Sequence, residues 1–582
     1  MAGSSVWKRV KATPRCDWPV ADRELSGAGN FVGIYGGEHI AATEFVIGAT
    51  LVQYGCTATD IMIGLIIGNI LAVLSFTFLC ATLATDTRLT LYTYLRRILG
   101  GKMQKVYNLV LGVGLSALAA SGISISATAI RRVFGVPIQL NWYPTSAKFV
   151  LIVIVLGAVI TFIAAKGFEA VAKFASTCVP WMILLFLVSL IVTLPQLLNA
   201  VHMEGIHSFA DFLHLLNSHV WTGENGAGGQ QLGIAHVIGF AWVCNLAWHI
   251  GLNDMPMLRF ARSYKYGYIS AVGMFIGHFF AWVIAGIMGA TAAIILNIPL
   301  TNLDPGEVTY TLLGYTGLIA VIIAGWTTAN PTIYRITLSF NVIFNKISRK
   351  NLTYIIGAVI TGLACFPGVQ SAADILTYLG LAVEGVGAIC VTEHFLFPKI
   401  GYTRYWNLYR KKEINVAATI SWGLSLVFIA AMLQTGMMHQ NLVFIPAFFV
   451  AAISYVILAG VMGARADFRK EEQEEMEYEN ALQEYVNSLM PEEKKEEVPA
   501  AAKMLRMVSW ICLACFLAAG IGCGAGDVEL ELFKQVSLVL SLIYFVCNGI
   551  AMVLTYKGEA EDQEEIPNLE SECESYEDSC RV

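Results

Sequence analysis

The chain has 582 residues, of which 56% are hydrophobic and 14% are charged, and its mean hydropathy is +0.62. Soluble domains carry about 25% charged residues, so this composition excludes a soluble enzyme and indicates a membrane protein. The net charge is −6, and no basic arm or zinc-knuckle spacing suggests a nucleic-acid partner. The sequence shows no nucleophile–base set, so we expect no enzyme activity and no cofactor.

Apolar stretches of about 20 residues follow one another along the chain, and each is long enough for a helix to cross a bilayer. Only helices and closed barrels satisfy their backbone hydrogen bonds inside lipid, so we interpret the stretches as membrane-spanning helices. About fourteen spans are predicted, at 30–54, 58–85, 105–130, 148–165, 176–198, 235–252, 267–296, 310–343, 352–366, 373–397, 415–435, 442–463, 507–524 and 533–556.

Lys and Arg concentrate in alternate gaps between these spans. The gaps that contain neither residue are 199–234, 297–309, 367–372, 436–441 and 525–532. Arg131, Arg132 and Lys148, around the third gap, are the exception to the alternation. Because cytoplasmic loops carry the excess of basic residues, the pattern predicts a multi-pass protein of the inner or plasma membrane with both termini in the cytoplasm.

The first span contains a glycine cluster followed by two ionisable residues, in the stretch NFVGIYGGEHIAATEF. Gly36 and Gly37 precede Glu38 and His39. A charge at the bilayer centre costs about 2.5–3.5 kcal/mol on insertion scales, so such a residue needs a partner, an ion or a water-filled cavity. We favour a broken helix with a binding site here. The alternatives are close helix packing at the glycines and a structural pair between polar side chains.

The sixth span ends with a second helix-breaking stretch, WHIGLNDMPMLRFARS. Gly251, Asn253, Asp254 and Pro256 close this helix. Five spans separate the starts of the two interrupted helices, as a five-plus-five repeat requires. Transporters with inverted repeats bind substrate and ions at such paired breaks near the middle of the membrane.

Span eight carries a candidate cation site in AVIIAGWTTANPTIYRITLSF. Ala324, Thr327 and Thr328 stand at i, i+3 and i+4 on one helical face, so a carbonyl and two hydroxyls can converge on a small hard cation. Pro331 removes a backbone donor nearby and frees a carbonyl. The alternative is that both hydroxyls bond back to a carbonyl of their own helix.

Further ionisable residues lie inside other spans, and their roles stay open at this point. Glu384 sits mid-span between glycines and is a candidate for the cavity lining, whereas Glu393 and His394 approach the cytoplasmic end of span ten. Glu44 and His278 complete the set.

Two segments depart from the membrane pattern. Residues 464–504 are rich in Glu, Lys and Ala, which is typical of a solvated cytoplasmic helix; a regulatory docking helix is the alternative. The tail at 557–582 is acidic and lacks an apolar face, so we expect it to be disordered.

At TTANPTIYRITLSF in span eight and NDMPMLRFARS after span six, the chain resembles the nucleobase–cation symporter family, the purine-cytosine permease group. The matching residues are Thr327, Thr328, Asn330, Asp254, Arg259, Gly68 and Asn69. The resemblance covers roughly residues 17–465. It implies the LeuT-type inverted-repeat fold, alternating access, and coupling to sodium or to protons.

The resemblance also implies binding residues, because family members hold a flat heterocycle between aromatic rings and bind its edges with amides. Together with the two helix breaks, the resemblance indicates nine candidate substrate-binding residues: Gly37, Glu38, His39, Ser121, Trp242, Asn245, Trp248, His249 and Asn330. A sodium site, formed partly by backbone carbonyls, would use Gly36, His39, Ala324, Thr327 and Thr328. Span three departs from the family because it offers serines and no Trp.

The sequence therefore predicts an all-α integral membrane protein with a five-plus-five inverted-repeat core and four peripheral C-terminal helices. The predicted segments are 1–29 (cytoplasmic), 30–198 (first repeat), 199–234 (extracellular loop), 235–397 (second repeat), 415–463 (spans eleven and twelve), 464–504 (charged insertion), 505–556 (spans thirteen and fourteen) and 557–582 (tail).

The predicted function is import of a nucleobase or related small heterocycle by sodium or proton symport. An amino-acid or other metabolite symporter on the same fold is one alternative, and a membrane sensor is another. The expected partners are the small-molecule substrate, the cation and the lipid bilayer, with the protein a monomer or a weak oligomer.

Overall fold

The computed structural model describes residues 2–166, 168–224, 231–344, 346–489 and 499–563, and these ranges contain helices and no β-sheet. The main helices are α1 (Ala2–Lys11), α2 (Ala28–Glu38), α3 (Ala42–Val52), α4 (Ala58–Thr87), α5 (Leu91–Leu99), α6 (Gly101–Val133), α7 (Ala147–Ala165), α8 (Phe168–Ala200), α9 (Phe209–His219), α10 (Ile234–Val243), α11 (Leu246–His249), α12 (Met255–Leu258), α13 (Tyr264–Leu296), α14 (Pro305–Leu313), α15 (Tyr315–Asn341), α16 (Arg349–Ala364), α17 (Ala372–Ile400), α18 (Val416–Gln434), α19 (Phe444–Met462), α20 (Arg469–Leu489), α21 (Ala500–Ala525) and α22 (Leu530–Gln563).

The membrane-spanning architecture agrees with the prediction. Eleven of these helices are long and apolar enough to cross a bilayer. The other three predicted spans are shorter elements: span one is divided between α2 and α3, span six between α10 and α11, and span nine is the 16-residue helix α16. The all-α membrane fold is therefore confirmed, and both interruptions fall in the spans where helix-breaking residues occur.

The packing of the spans follows a two-fold pattern. If each span of the first half corresponds to the span five places later, span one corresponds to span six and span two to span seven. A contact between spans one and seven must then recur between spans six and two. The structure shows both contacts: α3 of span one packs on α13, which is span seven, and α10 of span six packs on α4, which is span two. Equivalent spans of the two halves also pack on each other. Span three (α6) contacts span eight (α15), and span four (α7) contacts span nine (α16). The residue boundaries assigned to the two repeats stay a prediction.

The contact between α7 and α16 shows the same symmetry at the level of single residues. A Cβ on Gly157 would overlap the side chain of Thr361, and a Cβ on Gly357 would overlap the side chain of Thr161. Each helix thus carries a glycine and, four residues later, a threonine that packs on the glycine of the other helix. Small residues let membrane helices approach closely, and here they place spans four and nine in reciprocal contact.

The four C-terminal spans lie at the edge of this core. Helices α18 and α19 pack on each other and on α17, whereas α21 and α22 form a pair that packs on α8. The indole of Trp181 on α8 donates a hydrogen bond to Ser541 on α22 at 3.0 Å. These contacts place α21 and α22 at the periphery, apart from the interrupted spans one and six.

Arg131, which departs from the alternation of basic gaps, is neutralised by carboxylates. It is 2% exposed and donates to Asp304, just before α14, at 2.6 Å and to the carbonyl of Val136 at 3.0 Å. Glu307 lies 3.4 Å from the same guanidinium. An arginine paired in this way adds little net positive charge to the loop.

The charged insertion is a docked helix rather than a free one. Tyr478, Leu482 and Val486 of α20 are buried together with Val10 and Ala21 of the N-terminal segment. Residues 469–489 thus form a helix with one face packed on the N-terminal segment, and the choice between a solvated and a regulatory docking helix stays a prediction. Residues 490–498 of the insertion and 564–582 of the tail lie outside the described residues.

Candidate functional site

The first broken helix is formed by α2 and α3 and is interrupted at residues 39–41. The backbone N–H of His39 donates to the carbonyl of Tyr35 at 3.3 Å, and the His39 ring nitrogen Nδ1 lies 2.9 Å from the same oxygen. Helix α13 approaches closely here, because a Cβ on Gly277 would overlap the His39 carbonyl oxygen. The break therefore sits inside the protein, against span seven.

The second broken helix is formed by α10 and α11 and is interrupted twice. The first interruption, at Cys244 and Asn245, divides α10 from α11. The second follows His249, where Leu252 adopts a left-handed backbone with φ of 63° before α12 begins. Asp254 lies in this second interruption, next to α12.

A buried cluster of charges joins both broken helices to span eight. The guanidinium of Arg335 on α15 donates to Glu38 at the end of α2 and lies 3.5 Å from a carboxylate oxygen of Asp254. All three side chains are at least 85% buried. We call Glu38, Asp254 and Arg335 the charge triad.

Arg335 is a functional candidate that sequence reasoning missed. The signal was present, because an arginine inside a membrane span needs a partner and Arg335 lies eight residues after Thr327, on a similar helical face. The resemblance instead drew attention to Arg259 after Asp254. The guanidinium of Arg259 lies over the ring of Phe260, at 4.7 Å.

A small cavity of about 50 Å³ lies between the two broken helices and span eight. It has room for a few water molecules, since one water needs about 10–15 Å³ on this measure. Its lining residues are Glu38, His39, Thr43, Glu44, Ile47, Leu118, Asn245, Trp248, His278, Thr327, Thr328, Pro331, Thr332, Arg335 and Leu376. Six predicted site residues are thus brought together, namely Glu38, His39, Asn245, Trp248, Thr327 and Thr328.

One wall of the cavity is a chain of polar contacts between spans six, seven and one. The amide nitrogen of Asn245 lies 3.1 Å from Nδ1 of His278, and the His278 ring stacks on Trp282 with centroids 4.3 Å apart. The Trp282 indole donates to Glu44. His39 faces His278 with ring centroids 5.0 Å apart. Donors and acceptors of several kinds therefore face the same space.

The threonine pair of span eight lines the same cavity. Both hydroxyls donate to the carbonyl of Ala324, from Thr327 at 3.0 Å and from Thr328 at 2.8 Å. Their hydrogens are thus engaged within the helix, while each hydroxyl oxygen keeps lone pairs for a cation. Ala324 and Gly36 are not among the lining residues.

The remaining predicted substrate residues are not among the lining residues of the cavity and pack within the protein. Trp242 donates to Ser75 at 3.0 Å, and His249 bonds the carbonyl of Trp242 at 3.0 Å. The Asn330 amide lies 2.7 Å from the Trp326 indole nitrogen and 2.8 Å from the Ile160 carbonyl. The other members of this group are Gly37, which packs on Val179, and Ser121, which is fully buried.

The ionisable residues of span ten lie away from the cavity. Glu393 is fully buried and accepts hydrogen bonds from the Tyr455 hydroxyl and from the Tyr405 backbone, the latter at 2.7 Å. His394 lies 3.1 Å from Asp86. Glu384 is also fully buried, and it is not a lining residue.

Fold and site together define a multi-pass membrane protein with paired broken helices around a central cavity, and solved transporters share this architecture. Mhp1, a nucleobase-cation-symport-1 family transporter in a closed conformation with bromovinylhydantoin bound, is 14% identical, with a TM-score of 0.60 over 81% of this chain and 99% of that chain. Mhp1 in an inward-facing conformation is 13% identical, with a TM-score of 0.58 over 77% and 94% of the two chains.

A Na⁺-coupled sialic acid symporter in a substrate-bound outward-open state is 15% identical, with a TM-score of 0.54 over 80% of this chain and 96% of that chain. At these identities the likeness shows the fold, and it confirms the LeuT-type architecture expected from the sequence. No protein-family model matches the chain, and no curated protein matches it.

Proposed function

We propose that the protein is a secondary active transporter that imports a small polar ring compound, a nucleobase or related heterocycle, by cation symport. The observation that carries this proposal is the cavity itself, which lies where two broken helices meet span eight and is lined by polar and aromatic side chains. Irregular backbone is tolerated at membrane depth where it lines such a cavity. The fold shared with Mhp1, which was solved with bromovinylhydantoin bound, supports the same class of ligand.

In this proposal the cavity wall formed by spans one, six and seven contacts the substrate. The Asn245 amide presents donors and an acceptor, and the imidazole of His39 presents one of each when neutral, which suits the edge of a heterocycle. Trp248 lines the same cavity and offers an aromatic face for stacking. Glu38 accepts hydrogen bonds from ring N–H groups. A ligand of this size requires the cavity to widen from about 50 Å³.

The proposed sodium site uses the hydroxyl oxygens of Thr327 and Thr328, with backbone carbonyls near Gly36, His39 and Ala324 completing the shell. Hard cations prefer oxygen ligands, and broken helices supply free carbonyls for them. The threonine hydroxyls already direct their hydrogens to Ala324. Their oxygens are therefore available as acceptors on the cavity side.

Alternating access requires closing contacts on both sides of the cavity. On the outer side, Arg131 binds Asp304 at 2.6 Å. On the inner side, Arg88 donates to the carbonyl of Arg259 at 2.8 Å, and the residues flanking the broken helices form a bridge between Ser26 and Ala261. In the proposed cycle these two sets of contacts open in turn.

The proposal is tested by uptake of radiolabelled nucleobases and hydantoins into proteoliposomes with and without a sodium gradient. We expect Thr328→Ala to weaken sodium-stimulated uptake sharply while folding stays nearly intact, because the lost hydroxyl is bonded only within its helix. Thr435→Ala is the matched control, since Thr435 bonds the Ala431 carbonyl in the same way at 2.7 Å but lies outside the cavity. Unchanged sodium dependence in the Thr328 variant would count against this cation site.

A symporter of another small metabolite is the second candidate, and the likeness to a sialic acid symporter favours keeping it. The two solved transporters share the fold but carry different ligands, so the fold alone leaves the substrate class open. Thermal-shift screening of the purified protein against nucleobases, vitamins, amino acids and sialic acid, with and without sodium, distinguishes the candidates. Stabilisation by an amino acid or by sialic acid alone would replace the heterocycle proposal.

A further inference from the structure

We propose that Glu38 and Asp254 together bind one proton, and that this proton is taken up and released during the transport cycle. The inference rests on the proposed transport function but concerns a different site from the threonine pair. In the topology predicted from the basic loops, α15 runs inward from Tyr315, so Arg335 lies about two turns on the cytoplasmic side of Thr327. The charge triad is therefore placed at the cytoplasmic end of the cavity, where Glu38 and Arg335 are lining residues.

The first argument is the balance of charge in the triad. Arg335 is the only basic side chain among the described residues that forms a recorded ion pair with Glu38 or Asp254. Two carboxylates against one guanidinium leave one negative charge in excess in a buried place. Like charges that share a buried site cannot both remain ionised without a further cation, so one carboxylate takes up a proton.

The second argument is the pattern of unmet hydrogen bonds. Oε2 of Glu38, Oδ1 of Asp254 and the buried hydroxyl of Tyr35 make no hydrogen bond of ordinary length and angle in the described structure. Oδ1 of Asp254 faces the guanidinium of Arg335 at 3.5 Å, and the Tyr35 hydroxyl lies close enough to Asp254 to interact with it. Asp254 is 1% exposed. Buried polar atoms are almost always hydrogen-bonded, so these atoms mark where a proton on a carboxyl group would serve as a donor.

The surrounding titratable groups do not supply the missing positive charge. They are Tyr35 of α2, Cys80 of α4, Tyr92 of α5 and His39 at the first break. Tyrosine and cysteine side chains are neutral near pH 7, and an ordinary histidine is mostly neutral there. When no sodium is bound in the cavity, the proton is the remaining cation, and its binding converts one carboxylate and one proton into one carboxylic acid.

The triad also connects this proton to the moving parts. Glu38 belongs to the first broken helix, Asp254 to the second and Arg335 to span eight. When the inner side opens and these elements separate, water reaches the carboxyl group and the proton leaves to the cytoplasm. When the elements close again, the excess charge is buried and a proton from outside is needed.

The first test needs no substrate and uses the full-length protein in lipid. Infrared difference spectra between acidic and neutral pH should show the carbonyl stretch of a protonated carboxyl group, and Asp254→Asn or Glu38→Gln should remove it. Asp374→Asn, at an exposed carboxylate on α17, is the control and should keep it. Because Glu44, Glu384 and Glu393 are also buried, the result that decides is the difference from the wild type. Spectra that are the same in the wild type and in both triad variants would overturn the proposal.

Thermal unfolding gives a second readout. Each single variant removes the excess charge and should leave the melting temperature unchanged or raised, whereas the double variant leaves Arg335 without a carboxylate and should lower it. A fall in both single variants would mean that both carboxylates are needed ionised, which contradicts a shared proton.

Transport supplies the third readout and separates the two proposals. Uptake of radiolabelled cytosine or hydantoin by the wild type should rise about tenfold per pH unit of external acidification below saturation, as one bound proton requires. Asp254→Asn should keep exchange of labelled for unlabelled compound and lose this pH dependence. Absence of any uptake by the wild type would count against the proposed function and leave the infrared result to decide the proton site. Uptake independent of pH would overturn the coupling role.

Discussion

Docking of α20 on the N-terminal segment is a contact whose strength can be worked out from the structure. The Tyr478 ring is 7% exposed, its hydroxyl shares a hydrogen bond of 2.7 Å with Thr13, and the Arg9 guanidinium lies over it at 3.6 Å. Tyr478→Ala removes all three interactions. The cation–π contact contributes about 0.5–1 kcal/mol, the hydrogen bond about 0.5–1.5 kcal/mol and the apolar burial about 1.5–3 kcal/mol.

Since these contributions overlap, we expect Tyr478→Ala to cost about 3 kcal/mol, which is a factor of about 100 in the docking equilibrium. Amide hydrogen exchange at residues 2–24 should accelerate by up to that factor wherever undocking limits exchange. Met476→Ala is the control, because Met476 lies on the same helix and is 56% exposed. Equal exchange at residues 2–24 in the wild type and in the Tyr478 variant would refute the docking argument.

Two further predictions concern backbone packing and pH. Gly277→Ala should destabilise the protein by about 1–3 kcal/mol, as overpacking does, because the new methyl group overlaps the His39 carbonyl. The control is Gly362→Ala, whose methyl group meets nothing within 4 Å and should leave thermal stability unchanged or raised. Equal melting temperatures of the two variants would contradict the close approach of α13 to His39. Burial and the neighbouring His236 lower the pKa of His439 in the loop between α18 and α19. The folded protein therefore favours the neutral His439 ring, whereas the unfolded chain takes up a proton there as pH falls below about 6.5, so acidification destabilises the fold. Thermal stability should therefore fall more between pH about 7.5 and 5.5 in the wild type than in His439→Gln, and identical losses would speak against this assignment.

The sequence by itself determined the membrane class, the spans and the places where two of them break. Each of these follows from residues that are close together in the chain. Hydropathy over about 20 residues sets a span. The run of Gly36 and Gly37 before Glu38 and His39 predicted a break in this span, and the structure places it just after the glycines, at 39–41. The face of span eight that carries Thr327 was readable from helical periodicity for the same reason.

Only the tertiary structure decided which polar groups meet. Glu38 and Arg335 are 297 residues apart, and no local pattern joins them; the resemblance drew attention to Arg259 rather than Arg335 as a companion of Asp254. The contact of Asn245 with His278, and the docking of α20, depended equally on how separate helices pack. A buried charge or amide finds its partner in space rather than in sequence, so the chemistry of the site emerged only once the two broken helices were brought against span eight.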